Sequence, residues 1–419
     1  MRSELLIIGN EILSGNTAEA NGKWLALKLR TLGISLDRIT VIPDQQEEML
    51  VAFKECFERS DLIFTSGGLG PTQDDLTKNI LGQFFKGELK ADRLGEEIAR
   101  DNYQRFGREW TPKSNFYHII PEGITPLKNP NGLAPGLLKI DREKNKMFFS
   151  APGVPREFSA MVNEVFIPQI LSFFKKQNDP IESFKIRTFG IPEEKIFFEL
   201  CPALWKKLEK FGSVSSLPQT TGVDIVLSFR PEQFSREKIY HDFISSADYQ
   251  ILKPFIWQIG ELQAEEYVAK ICREKKLTLS LAESCTGGYL ANLFTNIKGI
   301  SQIFLGSAVT YSNYAKESLI GVQKKSLETH GAVSENVAKE MAQGSLAKFN
   351  SEVSVSLTGI AGPDGGSEQK PVGMVCIAIS ARNKKTIVST YFFKGDRLRL
   401  KERFAQRALL DLIAYLELT

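Results

Sequence analysis

The chain is predicted to be an α/β protein of three units, over residues 1–170, 171–255 and 256–419, with parallel sheets in the first and last. Three observations carry this. The 419 residues are too many for one core, at a soft prior of about 150 residues per domain. Short apolar runs alternate with amphipathic helical runs in the first and last thirds, the rhythm of strand–helix–strand units. Several apolar runs stop abruptly at glycine-rich segments, which is where open α/β sheets bind ligands.

In the first unit the runs at 4–8, 36–42 and 61–65 read as strands and 22–32, 46–59 and 72–85 as helices, a doubly wound arrangement. The strand at 61–65 enters Ser66-Gly67-Gly68-Leu69-Gly70-Pro71. Residues 111–155 are rich in Pro, Gly and Asn and read as long loops over the carboxyl edge of that sheet. The second unit reads as a small α+β layer, with strands at 184–189 and 224–229 and helices at 193–211 and 237–246. Residues 253–260, with Pro254, read as a linker. In the third unit a helix at 261–275 precedes strands at 277–281, 307–311, 353–357, 374–380 and 386–393, and the last helix spans 399–416.

Composition is that of an ordinary globular protein, 42% hydrophobic and 25% charged. A formal net charge of +3 without a basic block gives no electrostatic ground for binding nucleic acid or a membrane. Cys56, Cys201, Cys272, Cys285 and Cys376 are scattered with no C-x-x-C pair, which argues against zinc sites and disulfide frameworks and fits a reducing compartment. The apolar run at 5–8 is too short for a secretion signal and no run approaches a membrane span, so a cytoplasmic location is expected.

The most telling stretch is Ser280-Leu281-Ala282-Glu283-Ser284-Cys285-Thr286-Gly287-Gly288, where a strand-like run stops at small polar residues and a helical pattern follows from Tyr289. Such a junction presents hydroxyls and backbone N–H groups together, which suits a nucleophile beside an oxyanion site. Ser and Thr are equally ordinary helix caps. Three more such segments, 306–316, 356–366 and 395–397, lie in the same unit. A Ser beside a Lys forms a nucleophile–base pair when burial keeps the amine partly neutral. Tyr311 could orient that Lys, and Arg397 could clamp a phosphate or carboxylate. Against this, Lys316 also reads as a solvated surface lysine and the glycine loops as plain turns. One such segment alone is more often bland; four in one unit reverse the balance. Cys285 is the rival nucleophile, but a catalytic Cys needs a His or cationic partner, and of His118, His241 and His330 only the last lies in the same unit.

On these segments the chain resembles the CinA family of competence/damage-inducible proteins along nearly its whole length, and its last third is similar to the nicotinamide mononucleotide amidases. The matching segments are Ala282-Glu283-Ser284-Cys285-Thr286-Gly287-Gly288, Val309-Thr310-Tyr311-Ser312-Asn313 with Lys316, His330-Gly331-Ala332-Val333-Ser334-Glu335, the run from Thr358 to Ser367, Lys370-Pro371-Val372-Gly373, and Gly395-Asp396-Arg397. The resemblance implies Ser284 as the acyl-accepting nucleophile, Lys316 as its base and Tyr311 as an assistant. It also implies that Ser301, Thr358 and Arg397 touch substrate or support the site, and that the amidase needs no cofactor. With N–H groups near Gly287 or Gly359 as oxyanion donors, the reaction implied is hydrolysis of nicotinamide mononucleotide to nicotinic acid mononucleotide and ammonia. A rival of another class is a binding or regulatory protein of DNA uptake or damage response, with vestigial hydrolase folds.

In the first unit, Ser66-Gly67-Gly68-Leu69-Gly70-Pro71-Thr72-Gln73-Asp74-Asp75 is neither a P-loop nor a dinucleotide fingerprint. The backbone at Gly67, Gly68 and Gly70 could still cradle a phosphate, with Asp74, Asp75 and Glu11 as candidates for a divalent Mg, Mn or Co ion. Thr72-x-x-Asp75 reads equally as a capping box. With Gly9-Asn10-Glu11-Ile12-Leu13-Ser14-Gly15 and Ala151-Pro152-Gly153-Val154-Pro155, this segment resembles the molybdopterin-binding fold of CinA N-terminal domains, which implies metal-dependent ADP-ribose pyrophosphatase activity. The middle unit resembles the KH-type insertion of these proteins. No G-x-x-G loop occurs between residues 183 and 252, so a spacer or homodimer contact is expected there rather than nucleic-acid binding.

Overall fold

The computed structural model describes residues 1–72, 74–175 and 180–418, so Gln73 of the first glycine motif lies outside the described residues. The chain divides into two compact units, Met1–Glu182 with Phe229–Ser235, and Ser183–Ser228 with Arg236–Thr419.

The first unit contains β1 (Ser3–Ile8), β2 (Arg38–Ile42), β3 (Leu62–Ser66), β4 (Leu89–Ala91), β5 (Ile119–Pro121), β6 (Thr125–Leu127), β7 (Gly136–Asp141) and β8 (Lys146–Ala151). Strands β4 and β5 form a separate ribbon, and the rest make one sheet in the order β2–β1–β3–β8–β7–β6. The first four run parallel; β7 and β6 are antiparallel additions. Both faces are buried, so strands read as continuous apolar runs. Leu5, Ile7, Phe64 and Phe149 enter one core with Leu25 and Leu29 of α2 (Asn21–Arg30), which follows the short α1 (Asn10–Leu13). Their neighbours Leu6, Ile8, Ile63 and Phe148 enter the other with Phe53 of α3 (Gln46–Arg59) and Ile80 of α4 (Thr77–Phe85). The unit is therefore doubly wound, as expected, but residues 111–155 are loops only in part. They supply β6, β7 and β8, whose Gly and Pro punctuation marks strand ends rather than unstructured chain. A second correction concerns the helix expected from residue 72: α4 begins at Thr77, and Thr72 instead closes a turn with Asp75.

The second unit opens with a four-stranded sheet in the order β10–β11–β9–β12, from β9 (Glu182–Thr188), β10 (Ser213–Pro218), β11 (Val223–Phe229) and β12 (Ile256–Ile259). The segment expected as a linker holds β12, which pairs antiparallel with β9, while Pro254 sits in the turn Lys253–Phe255 just before it. The helix expected over 193–211 is broken at Cys201-Pro202, because proline has no N–H to continue the ladder.

The same unit continues with α5 (Ala264–Lys275), β13 (Leu279–Glu283), α6 (Tyr289–Thr295), β14 (Phe304–Val309), α7 (Asn313–Ile320), α8 (Lys324–His330), α9 (Glu335–Phe349), β15 (Val353–Gly359), β16 (Met374–Ala381), β17 (Ile387–Phe392) and α10 (Arg397–Leu418). Sheet order is β14–β13–β15–β16–β17, parallel for the first three and antiparallel for the last two. Helices α5, α6 and α10 cover one face through a core that includes Leu281, Leu357, Phe294 and Phe404. Helix α9 covers the other through Val337, Ala338, Met341 and Ala342. The parallel strands deliver Ser284, Thr310 and Gly359 to one carboxyl edge. Among the described residues no helix is long and apolar enough to cross a membrane.

Candidate active site

Ser284 is the first residue past the central strand β13, and its own N–H donates to Leu357 O at 3.0 Å. The chain then reverses: Gly287 N–H donates back to Ser284 O at 3.1 Å. Gly287 and Gly288 have φ of 62° and 92°, left-handed values that a side chain would strain, and α6 starts immediately after them.

The preceding residue, Glu283, was not singled out from the sequence, yet it organises the loop. Its carboxylate is fully buried and accepts from the N–H groups of Gly288 (3.0 Å), Leu290 (3.1 Å) and Ala291 (2.8 Å), and from Ser307 Oγ (3.3 Å). An internal anion thus occupies the positive end of α6. The free N–H groups expected at this helix start are consequently not those of the helix. Gly287 N–H is also taken, by Ser284 O. The N–H groups of Cys285 and Thr286 face no oxygen acceptor among the described residues, with only the Cys285 sulfur near them.

Lys316 lies on the first turn of α7, whose N-terminus is capped by Ser312 Oγ accepting from Ala315 N–H at 3.1 Å. Its side chain is 1% exposed. The amine donates to Thr310 O at 2.7 Å and to Ser284 Oγ at 3.0 Å, and makes no ion pair among the described residues. Burial without a counter-charge pushes its pKa down to about 8. About one amine in ten is then neutral at pH 7. A hydroxyl beside a partly neutral amine is a nucleophile with its base in place. The neighbouring Cys285 thiol is pushed the other way, up to about 12, chiefly by burial, and stays protonated.

The other expected site residues are placed as follows. Tyr311 does not reach the lysine; it is 63% exposed and its hydroxyl accepts from Arg397 Nη2 at 3.0 Å. Arg397 spends its other terminal nitrogen on Gly362 O at 2.6 Å, so it ties two loops together. Thr358 is buried with its hydroxyl on Ala332 O at 2.8 Å, which holds the loop before α9. Gly359 ends β15 opposite Val375, packed against strand backbone. Ser301 is not brought to Ser284: it lies in the turn Ile300–Gln302 before β14, at the amino edge of the parallel strands, a strand length of about 15 Å away.

In the first unit a cleft of about 740 Å³ lies at the carboxyl edge of β1, β3 and β8. Its lining includes Glu11, Asp44, Gly67, Gly68, Gly70, Asp74 and Asp75. Gly67 has φ 115°, and a Cβ there would stand 2.1 Å from Ile8 O, so only glycine lets β1 and this loop approach. Asp75 turns one oxygen back to Thr72, accepting from its N–H at 2.9 Å and from its hydroxyl. Asp44 has its pKa raised by burial first and by Glu11, Asp74 and Asp75 around it. Lys78, whose amine donates to Phe116 O, is pushed down to about 8 by burial.

Residues 261–416 match the family described as the CinA C-terminal domain, and residues 4–172 that described as a probable molybdopterin binding domain. A CinA-like protein of Kosmotoga olearia is 35% identical over 424 residues, covering 99% of this chain and 100% of that protein. The chain belongs to the CinA family. A CinA-like protein of Chloroherpeton thalassium is 34% identical over 415 residues, covering 98% of each. Among solved structures, the competence/damage inducible protein CihA from Agrobacterium tumefaciens is 37% identical, covering 38% of this chain and 98% of that one with a TM-score of 0.35.

In this CinA chain the carboxylates of the first unit do not form a ready-made metal cage. Among the described residues no three His, Cys, Asp or Glu side chains converge closely enough to hold an ion. Asp74 and Asp75 by themselves supply at most a partial ligand set for a cation.

Proposed function

We propose that the last part of the chain is a serine–lysine amidase that converts nicotinamide mononucleotide and water to nicotinic acid mononucleotide and ammonia. The observation that carries the reading is Lys316 Nζ at 3.0 Å from Ser284 Oγ, buried and without a counter-charge. Ser284 Oγ attacks the carboxamide carbon while the neutral amine of Lys316 takes the hydroxyl proton. The N–H groups of Cys285 and Thr286, which have no oxygen partner among the described residues, would serve the resulting oxyanion. The Lys316 ammonium then protonates the departing nitrogen, and ammonia leaves an acyl ester on Ser284. Water, deprotonated by the same amine, attacks that ester; the ammonium returns the proton to Ser284 Oγ, and nicotinic acid mononucleotide leaves. The carboxamide nucleotide as substrate rests on the resemblance to the amidases. A vestigial fold would have no reason to keep a lysine buried without a counter-charge, at a cost in stability. The test is product formation by the full chain: nicotinic acid mononucleotide and ammonia in equal amounts. Well-folded protein at micromolar concentration that releases neither overturns the reading.

A second reading, for the first unit, is supported by the 740 Å³ cleft that joins a glycine loop to Glu11, Asp44, Asp74 and Asp75. Such a cleft suits ADP-ribose, hydrolysed to AMP and ribose 5-phosphate. A bound magnesium, manganese or cobalt ion would neutralise phosphate charge; Gly67, Gly68 and Gly70 would bind the pyrophosphate through their backbone. Asp75→Asn is expected to raise the metal concentration for half-maximal cleavage by at least about tenfold. If Asp75 only holds its turn with Thr72, the same change costs about 1 kcal/mol of stability and leaves the metal dependence alone. Absence of cleavage with all three metals excludes the activity.

A further inference from the structure

We propose that Lys401 holds the phosphate of the substrate, and so makes the Ser284 site selective for a nucleotide over the corresponding nucleoside; this rests on the amidase reading above. Lys401 stands on the second turn of α10, one turn beyond Arg397 and on the same face. Its side chain is half-buried, and its amine lies 3.9 Å from where a Cβ on Gly287 would stand. Gly287 is hydrogen-bonded to Ser284 and three residues from it, so the amine borders the nucleophile loop within about 10 Å of Ser284.

The cations around this loop differ in what they are already doing. Arg397 is committed to Gly362 O and Tyr311 Oη, Lys370 to His330 O, and Lys316 to Ser284 Oγ and Thr310 O. Lys401 makes no hydrogen bond or ion pair among the described residues. In the residue before Gly287, the Thr286 hydroxyl is fully buried with no partner. An uncommitted ammonium thus borders Gly287, which has no side chain to cover it. A pyridine nucleotide whose carboxamide reaches Ser284 carries a phosphate at its far end. An ammonium facing the open loop offers that dianion a charge-assisted contact. The helix start that would otherwise attract it is occupied by Glu283.

The experiment compares nicotinamide mononucleotide with nicotinamide riboside in the full chain. In Lys401→Met the ratio of kcat/KM for nucleotide over nucleoside should fall about 10–100-fold, carried by KM of the nucleotide. Lys401→Arg should restore most of it. Added salt should erode the preference in the wild type and not in Lys401→Met. A loss in kcat shared equally by both substrates, or an unchanged nucleotide KM, overturns the proposal. Calorimetric binding of both compounds to Ser284→Ala, with and without Lys401→Met, decides the matter without turnover. If the wild type deamidates neither compound, the amidase reading fails. Nucleotide binding lost with Lys401 still upholds the phosphate site, and equal binding or none overturns it.

Discussion

Ser284→Ala should lower amide turnover by about 10⁴-fold or more while leaving the fold and nucleotide binding in place. The change removes one hydroxyl whose partner is the Lys316 amine, and that amine keeps Thr310 O. Lys316→Met should be nearly as damaging, because the serine then has no acceptor for its proton. The double variant should lose little more than either single one, as for groups that act together. Cys285→Ala should keep substantial activity, since a thiol held protonated by burial is no nucleophile. Turnover killed by Cys285→Ala and spared by Ser284→Ala would reverse the assignment.

Lys316 also predicts the pH dependence. The base must be neutral, so the rate should rise with pH through about 8 and level off above it. Its folded pKa lies below the unfolded value. Between the two the unfolded chain binds the extra proton, so this group's contribution to stability falls as pH drops from about 10 towards 8 and is flat below. At pH 7 the buried amine costs about 3 kcal/mol. Lys316→Met should therefore unfold at a higher denaturant concentration than the wild type at pH 7, a stability gain bought with activity. A variant destabilised at pH 7 would show that the amine is not held against its charge.

Glu283→Ala should have the largest effect on stability. It strands three N–H groups and Ser307 in a dry setting, at about 1–3 kcal/mol for each group that water cannot reach, and removes the anion at the start of α6. A loss of about 3–5 kcal/mol is expected, with turnover falling in step because Ser284 adjoins the brace. Glu283→Gln keeps one acceptor oxygen and should fall between. Denaturant unfolding provides the measure, and a midpoint equal to wild type would remove Glu283 from this role.

The strand, turn and helix around Ser284 were legible because an apolar run, a glycine pair and a helical period stand in order there. Lys316 was found as a candidate, but only packing shows it to be dry. Strand β10 is Ser-Val-Ser-Ser-Leu-Pro, too polar to stand out, and β12 hid behind Pro254. Strands β6 to β8 were masked by the turn residues between them. Glu283 gave no local signal, since a charged residue at a strand end ordinarily points to water. Lys401 is 117 residues from Ser284 in sequence, and its closeness to Gly287 is purely tertiary; its one clue is its position one turn after Arg397. Tyr311 went astray for the opposite reason. It is near Lys316 in sequence, but it leaves the strand end on the solvent side, where Arg397 meets it.

All five cysteines are free and buried. Burial raises every one of these thiols, Cys56 and Cys285 to about 12, Cys201 and Cys272 to about 11, and Cys376 as well. The native chain therefore offers an alkylating reagent almost no reactive sulfur until it opens. Cys56 belongs to the first unit and the other four to the second. Labelling each sulfur against time would turn them into built-in clocks, one set for each unit, that read how often each opens without any added probe.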